Sequence, residues 1–464
     1  MPSWINQIFS QSPFSKKESI FSVIQPGVHH FIQQDGANKA RIHLRIDPDG
    51  TGVLMVNASR IYHFNSTATT MAYWVLNKVP EPRILNQIQQ TYRVSRANAL
   101  QDYKNFQHQF EDIIQPGDAC PICDLNLDTI APFSTVPTSP YRMDLALTYR
   151  CNNNCSHCYN ARSRAFPELE LDQWFNILDR LWKIGIPHIV FTGGEPTLYR
   201  YLPDLIAHAE NNGQITGINT NARRLKDKTY VNELVSAGLD HVQITLESHI
   251  PAIHDQMVAA QGAWDDTLLG LQNVLNTRLF VMTNTTLLQN NAPYLKDTLK
   301  FLASQKVPTI GLNALIYSGK GKSVHTGLAE SDLPPLLEIA RECTTTAGQR
   351  LIWYTPTEYC HFDPVQLELG VKGCTAALYN MCIEPDGSVL PCQSYYTPLG
   401  NILHDPWDSI WNHDLAISLR ERRKVPEKCS GCELLAECGG GCPLAREAAL
   451  ESQPTGEIPA FFKM

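Results

Sequence analysis

The chain has 464 residues, 43% hydrophobic and 18% charged, which suffices for two or three domains with sizeable cores. Its net charge of -8 argues against a nucleic-acid partner, and no apolar run approaches the roughly 20 residues of a membrane span. The start, MPSWINQIFSQSPFSKKES, lacks a basic-then-apolar signal pattern, so the 14 cysteines read as metal ligands in a reducing cytoplasm rather than as disulfides.

Residues 1–115 read as a small module of strands and helices. Ala40 to Ile46 alternates as a strand, Asp47-Pro48-Asp49-Gly50 is a turn, and Val53 to Val56 is a second strand. Asn65-Ser66-Thr67-Ala68-Thr69 caps a helix carrying Met71, Ala72, Trp74, Val75 and Leu76, and further helices are expected at 84–92 and 97–114. With FNSTATTMAYWVL at the join, the module resembles the winged-helix-like domain that recognises precursor peptides, of which the peptide chaperone of pyrroloquinoline quinone biosynthesis is a member. The resemblance implies a leader peptide that adds a strand near Val53–Val56 and packs on the Thr69–Leu76 helix. Residues 116–141, broken by prolines, read as a linker. Its Cys120-Pro121-Ile122-Cys123 suits half a zinc knuckle, a redox pair or ligands donated elsewhere, and a structural or ligand-donating role is preferred.

Residues 142–355 alternate β-rich runs with amphipathic stretches. Strands are expected at 143–149, 187–192, 214–219, 240–246, 278–285 and 307–315, and helices at 171–184, 201–212, 228–237, 264–276, 292–305 and 331–347. Six β-α units imply an α/β fold, a partial (β/α)6 barrel of parallel strands with helices outside and its active site at the C-terminal strand ends. The loop Cys151-Asn152-Asn153-Asn154-Cys155-Ser156-His157-Cys158 follows the first strand, and Gly193-Gly194-Glu195-Pro196 ends the second, so both reach one rim. Three soft thiolates so spaced suit three irons of a four-iron cluster and leave the fourth iron open.

Together these motifs resemble the radical S-adenosylmethionine (SAM) superfamily. The resemblance implies that SAM chelates the open iron of a [4Fe-4S] cluster and that the Gly193–Pro196 strand end binds the SAM amino group. It places His157 near the adenine, Asn219 and Asn221 toward SAM, and Gln243, Thr245 and Glu247 near the ribose and methionine; Asn284 and Asn313 could reach SAM or substrate. Reductive SAM cleavage would give a 5′-deoxyadenosyl radical, with electrons from an external flavodoxin- or ferredoxin-type donor. No catalytic base can be named.

In residues 356–464, Cys374, a hairpin at Ile383–Cys392 and the block Cys429, Cys432, Cys438, Cys442 resemble the SPASM extension, which binds one or two auxiliary [4Fe-4S] clusters. By that resemblance the first takes Cys374, Cys392 and Cys442, with Cys360 preferred over Cys382 as fourth ligand. The second takes Cys429, Cys432 and Cys438, but no cysteine follows Cys442, which leaves an open iron, a carboxylate, a thiol such as Cys382, Cys120 or Cys123, or no cluster. Cys343 reads as a buried thiol within a helix. The combination implies a maturase that oxidatively modifies a leader-bearing precursor peptide, by crosslinking or backbone excision. The alternatives are SPASM chemistry on another protein or small molecule, of sulfatase-maturation or haem-pathway type, and a non-catalytic iron–sulfur protein.

Overall fold

The structure is a computed structural model that describes residues 24–35, 38–57, 60–114 and 137–451. Cys120 and Cys123 lie outside them. The chain divides into two compact units, Met1–Ser134 with Leu181–Pro187, and Thr135–Arg180 with His188–Met464.

In the first unit, β1 (Gly27–Asp35), β2 (Asn38–Ile46), β3 (Gly52–Val56) and β4 (Arg60–Phe64) form an antiparallel sheet in that order. Helices α1 (Ser66–Leu76), α2 (Glu81–Thr91) and α3 (Arg96–Ile114) follow. The Asn65 side chain caps α1 by accepting the Ala68 N–H at 2.9 Å, and Pro80 and Pro82 bracket the start of α2. Ile42, Leu44, Leu54, Val56 and Phe64 pack with Met71, Trp74, Ile84, Tyr103, Phe106 and Phe110 into one core. The expectation that Val53–Val56 offers an open edge is corrected, because β3 pairs with β2 on one side and β4 on the other. Strands β1 and β4, which were not anticipated, are the outer strands.

The second unit is built on parallel strands β5 (Arg142–Thr148), β6 (His188–Gly193), β7 (Ile215–Thr220), β8 (His241–Thr245), β9 (Phe280–Thr286) and β10 (Thr309–Asn313). A seventh, β11 (Arg350–Trp353), extends β10 in parallel register. The helices between strands are α4 (Leu171–Ile184), α5 (Leu202–Asn212), α6 (Lys228–Ala237), α7 (Pro251–Val258), α8 (Ala263–Leu275), α9 (Leu295–Ser304) and α10 (Leu333–Ala347). Gly213, Gly238 and Gly348 end α5, α6 and α10 in the left-handed conformation that a Cβ disfavours. Beside β5, β12 (Asn380–Ile383) adds in parallel, followed antiparallel by β13 (Ser388–Leu390) and β14 (Gly400–Asn401). Cys343 is half-exposed on α10, which corrects its reading as a buried thiol.

Cross-strand register assigns the two faces of the sheet. Ile218, Val242, Ile244, Val281, Ile310 and Leu312 are fully buried, whereas the alternate residues Asn219, Gln243, Thr245, Asn284 and Asn313 form the polar inner face. At the N-terminal strand ends, His241 Nε2 lies 2.8 Å from His188 Nε2, over Gly217, where any Cβ would overlap the His241 ring. Burial, aided by Arg142, lowers the His241 pKa from 6.5 to about 3. The unfolded chain therefore takes up a proton below pH 6.5 that the folded chain refuses until about pH 3, so stability should fall as pH drops through that window. Thermal melts across this range should show the loss, and His241→Gln should flatten it.

Candidate functional site

The three-cysteine loop is held at the rim by backbone contacts that span the barrel. Asn154 N–H donates to the Val258 carbonyl at 2.9 Å and Ser156 N–H to Met257 at 3.0 Å, which ties the loop to the end of α7. Lys320 N–H donates to the Cys158 carbonyl at 2.9 Å, and Lys320 Nζ reaches Asn154 Oδ1 at 2.5 Å. Arg164 Nη1 donates to the Cys151 carbonyl at 2.7 Å, and Arg223 Nη1 to the Asn152 carbonyl at 2.7 Å and Asn153 Oδ1 at 3.0 Å. These cations occupy carbonyls that would otherwise be free to move, and they counter the charge an iron–thiolate cluster would carry. Burial pushes the Cys151 thiol up to about 11 and Cys155 well above its ordinary value, so metal loading must displace these protons.

The Gly-Gly-Glu-Pro segment fixes the entry to this loop. Gly194 N–H donates to the Thr148 carbonyl at 2.7 Å and Glu195 N–H to Arg150 at 2.9 Å, so the end of β6 lies against the residues just before Cys151. Glu195 is itself buried and fully engaged. Its Oε1 accepts from Thr197 N–H at 3.1 Å, Thr197 Oγ1 at 2.7 Å and Thr220 Oγ1 at 2.6 Å, and its Oε2 from Asn221 N–H at 2.8 Å. Burial raises the Glu195 pKa, and these four donors oppose the rise. The carboxylate thus bolts β6 to β7 and leaves the backbone of the turn, with Pro196 opening a 3-10 turn, to face the rim. The Asn221 amide is drawn to the cysteine loop, 2.6 Å from Asn152 Oδ1 and 4.0 Å from Cys151 Sγ.

His157 and Glu247 meet across the barrel, Nε2 to Oε1 at 2.9 Å, both buried. Glu247 Oε2 accepts from Thr286 N–H at 2.9 Å, and Asn291 Nδ2 donates to the Glu247 carbonyl at 2.8 Å. Three buried polar atoms nearby have no protein partner: His157 Nδ1, Asn284 Oδ1 and Asn313 Oδ1. Such atoms cost free energy unless a ligand satisfies them, and with Asn219, Gln243 and Thr245 they make a polar wall suited to an amino-acid and nucleoside ligand. The residues present therefore fit SAM beside a cluster on Cys151, Cys155 and Cys158. On the opposite wall, Glu384 of the hairpin takes Arg162 Nε and Nη2, both at 2.7 Å, and Tyr149 Oη at 3.0 Å. Tyr159 Oη lies 3.3 Å from Gln393 Oε1, and Tyr396 stacks under the Arg162 guanidinium at 5.0 Å. Sequence reasoning did not reach this aromatic and charged wall; the Arg162-Ser163-Arg164 run straight after the cysteine loop was the one local signal for it.

The C-terminal cysteines separate into two sets. Cys442 lies close enough to raise the thiol pKa of Cys374, and both raise that of Cys392; burial is the largest cause for all three, and Cys374 and Cys392 are pushed up to about 12. The other set is Cys429, Cys432 and Cys438, in which Cys432 N–H closes a turn on the Cys429 carbonyl at 3.2 Å. Gly439, Gly440 and Gly441 all have positive φ, of 65°, 71° and 72°. Three successive left-handed residues turn the chain sharply, and that sends Cys438 and Cys442 to different sets. The preference for Cys360 as a ligand beside Cys374 is corrected: Cys360 lies against Lys428 and Cys429. Cys382, on β12, packs with Ala146, Tyr149 and Leu390.

When bound, SAM and a reduced cluster supply a 5′-deoxyadenosyl radical able to remove a hydrogen atom from carbon. The chain's own part is to hold the cysteine loop through Arg164, Arg223 and Lys320, and the polar wall would orient the ligand.

Residues 145–302 match the radical SAM superfamily, and residues 374–433 match the SPASM iron–sulfur cluster-binding domain. The Fe-coproporphyrin III synthase of Methanosarcina barkeri is 27% identical over 65% of this chain and 83% of its own length. The PqqA peptide cyclase of Rhizobium meliloti is 25% identical over 68% of this chain and 87% of its own. Streptococcus suis SuiB, solved bound to its precursor peptide SuiA, shares the fold with a TM-score of 0.65 and 17% identity, covering 90% of this chain and 96% of SuiB. This chain thus carries a radical SAM domain followed by a SPASM domain, which imply SAM and [4Fe-4S] clusters as its cofactors.

Proposed function

We propose that this enzyme oxidatively modifies a residue of a ribosomally made precursor peptide, by crosslinking or backbone excision, with the N-terminal unit as a leader-recognition domain of the kind that serves pyrroloquinoline quinone biosynthesis. Electrons would come from an external flavodoxin- or ferredoxin-type donor. The observation that carries the reading is the N-terminal unit, a sheet whose outer strand β4 runs directly into α1, with a small apolar cleft between α1 and α2. Thr67, Thr70, Met71 and Trp74 of α1, Ile88 and Thr91 of α2, and Tyr92 line that cleft. A strand edge and an apolar cleft on the helix that follows it are what an extended peptide with one or two apolar anchors requires. The likeness to a peptide cyclase and to a structure solved with a precursor peptide supports it further.

The likeness to a coproporphyrin enzyme favours a second reading, haem-pathway chemistry on a tetrapyrrole. Both are tested by anaerobic incubation of the reconstituted protein with SAM, reductant and either a leader-bearing precursor or an iron porphyrin, read by mass spectrometry. Loss of two hydrogens or excision of a fragment from the peptide supports the first reading. Decarboxylation of the porphyrin with an unchanged peptide would replace it with the second.

A further inference from the structure

We propose that Cys360 is the fourth thiolate of the second auxiliary cluster, completing Cys429, Cys432 and Cys438. The inference concerns the SPASM domain and does not depend on the peptide-modifying reading.

The geometry runs through the short loop Thr357–Cys360. Tyr359 N–H donates to Cys438 Sγ at 3.4 Å, and Cys438 Sγ–H donates to the Thr357 carbonyl at 3.6 Å. The loop is therefore laced onto the third cysteine of the block by its backbone. One residue further, Cys360 Sγ accepts from Lys428 Nζ at 3.6 Å, and Lys428 immediately precedes Cys429. Cys360 is thus fixed between the first and third cysteines of the block. The close packing extends to the glycine turn, since a Cβ on Gly441 would fall 2.9 Å from Glu358 Cγ. That turn diverts Cys442 to the Cys374 and Cys392 set, so the block alone supplies three thiols here and the loop supplies another.

Glu358 and His361 are the oxygen and nitrogen donors that cluster with Cys360. Glu358 Oε2 is 2.8 Å from Lys428 Nζ, and His361 Nδ1 is paired with Glu330. A soft thiolate is also the preferred donor for an iron–sulfur cluster. Cys360 and Cys432 are exposed, which places this set near solvent, where an external electron donor can reach it. With four thiolates the second cluster has no open iron, so it transfers electrons and does not coordinate substrate.

The test removes the SAM-site cluster with Cys151→Ala/Cys155→Ala/Cys158→Ala, so that only auxiliary clusters are read. Anaerobic reconstitution of this parent should load about eight irons. Adding Cys360→Ala should lose about four of them, or about one with the appearance of an oxidised three-iron EPR signal. The reduced-state EPR component affected should be the one that Cys429→Ala removes and that Cys374→Ala leaves. Cys360→Ser should keep the four-iron cluster through an alkoxide ligand and lower the midpoint potential of that component alone, a shift that loss of a merely structural thiol would not produce. The proposal is overturned if Cys360→Ala leaves iron content, EPR components and potentials as in the parent, or if it removes the component that Cys374→Ala removes.

Discussion

Gly194→Ala should lower 5′-deoxyadenosine formation at least about 100-fold while leaving the auxiliary clusters loaded. The new Cβ would fall 2.6 Å from the Tyr149 carbonyl oxygen and inside contact distance of the Arg150 carbonyl, the two residues that lead into Cys151. Neither carbonyl has room to yield, because Arg150 also accepts from Glu195 N–H at 2.9 Å and the Tyr149 side chain is buried. The end of β6 and the start of the cysteine loop must therefore separate, and the three sulfurs move relative to the polar wall. A displacement of about 1 Å between reacting groups is enough for such a loss. Iron content separates this from global unfolding: it should fall by about four per chain, with the auxiliary EPR components and the melting temperature close to the parent. Full iron loading with normal SAM cleavage would show that the loop tolerates the shift and that the double glycine serves only the turn.

The contrast between this contact and others explains what could be read before the fold was known. Helices at 171–184 and 228–237 match α4 and α6 to the residue, because a repeating β-α pattern and terminal glycines are local signals. Strands β12 and β13 join beside β5 through pairs such as Asn380 with Arg142, a separation no local pattern encodes. Strands β1 and β4 lie outside the expected elements, as does α7, at eight residues with a weak apolar stripe. The same division holds for the site. The cysteine loop and the Gly-Gly-Glu-Pro turn declare themselves by fixed spacing, but the His157–Glu247 pair spans 90 residues. Resemblance assigned both to the SAM ligand, and the structure engages them with each other. The neighbours of Cys360 differ from expectation for a related reason: chain order puts it before Cys374, whereas the Gly439–Gly441 turn decides which thiols converge.

Tyr92→Ala should weaken binding of a leader-bearing precursor about 30-fold, a loss of about 2 kcal/mol, with reductive SAM cleavage in the absence of peptide unchanged. Tyr92 lines the cleft between α1 and α2, and its hydroxyl lies 2.7 Å from Thr67 Oγ1, so it joins the end of α2 to the start of α1. Removing the ring takes away both the apolar wall and this link, whereas the larger core residue Trp74 would cost the unit its stability and blur the reading. Isothermal titration with the leader segment alone gives the affinity, and scanning that segment with proline tests the mode. A strand added to β4 uses backbone N–H groups of alternate leader residues, so sensitivity to proline should rise and fall with a period of two. Docking by side chains in the pocket alone would instead leave one or two sensitive positions with no alternation. An unchanged affinity in Tyr92→Ala, together with a flat proline scan, would remove the N-terminal unit from substrate recognition and turn attention to the porphyrin reading.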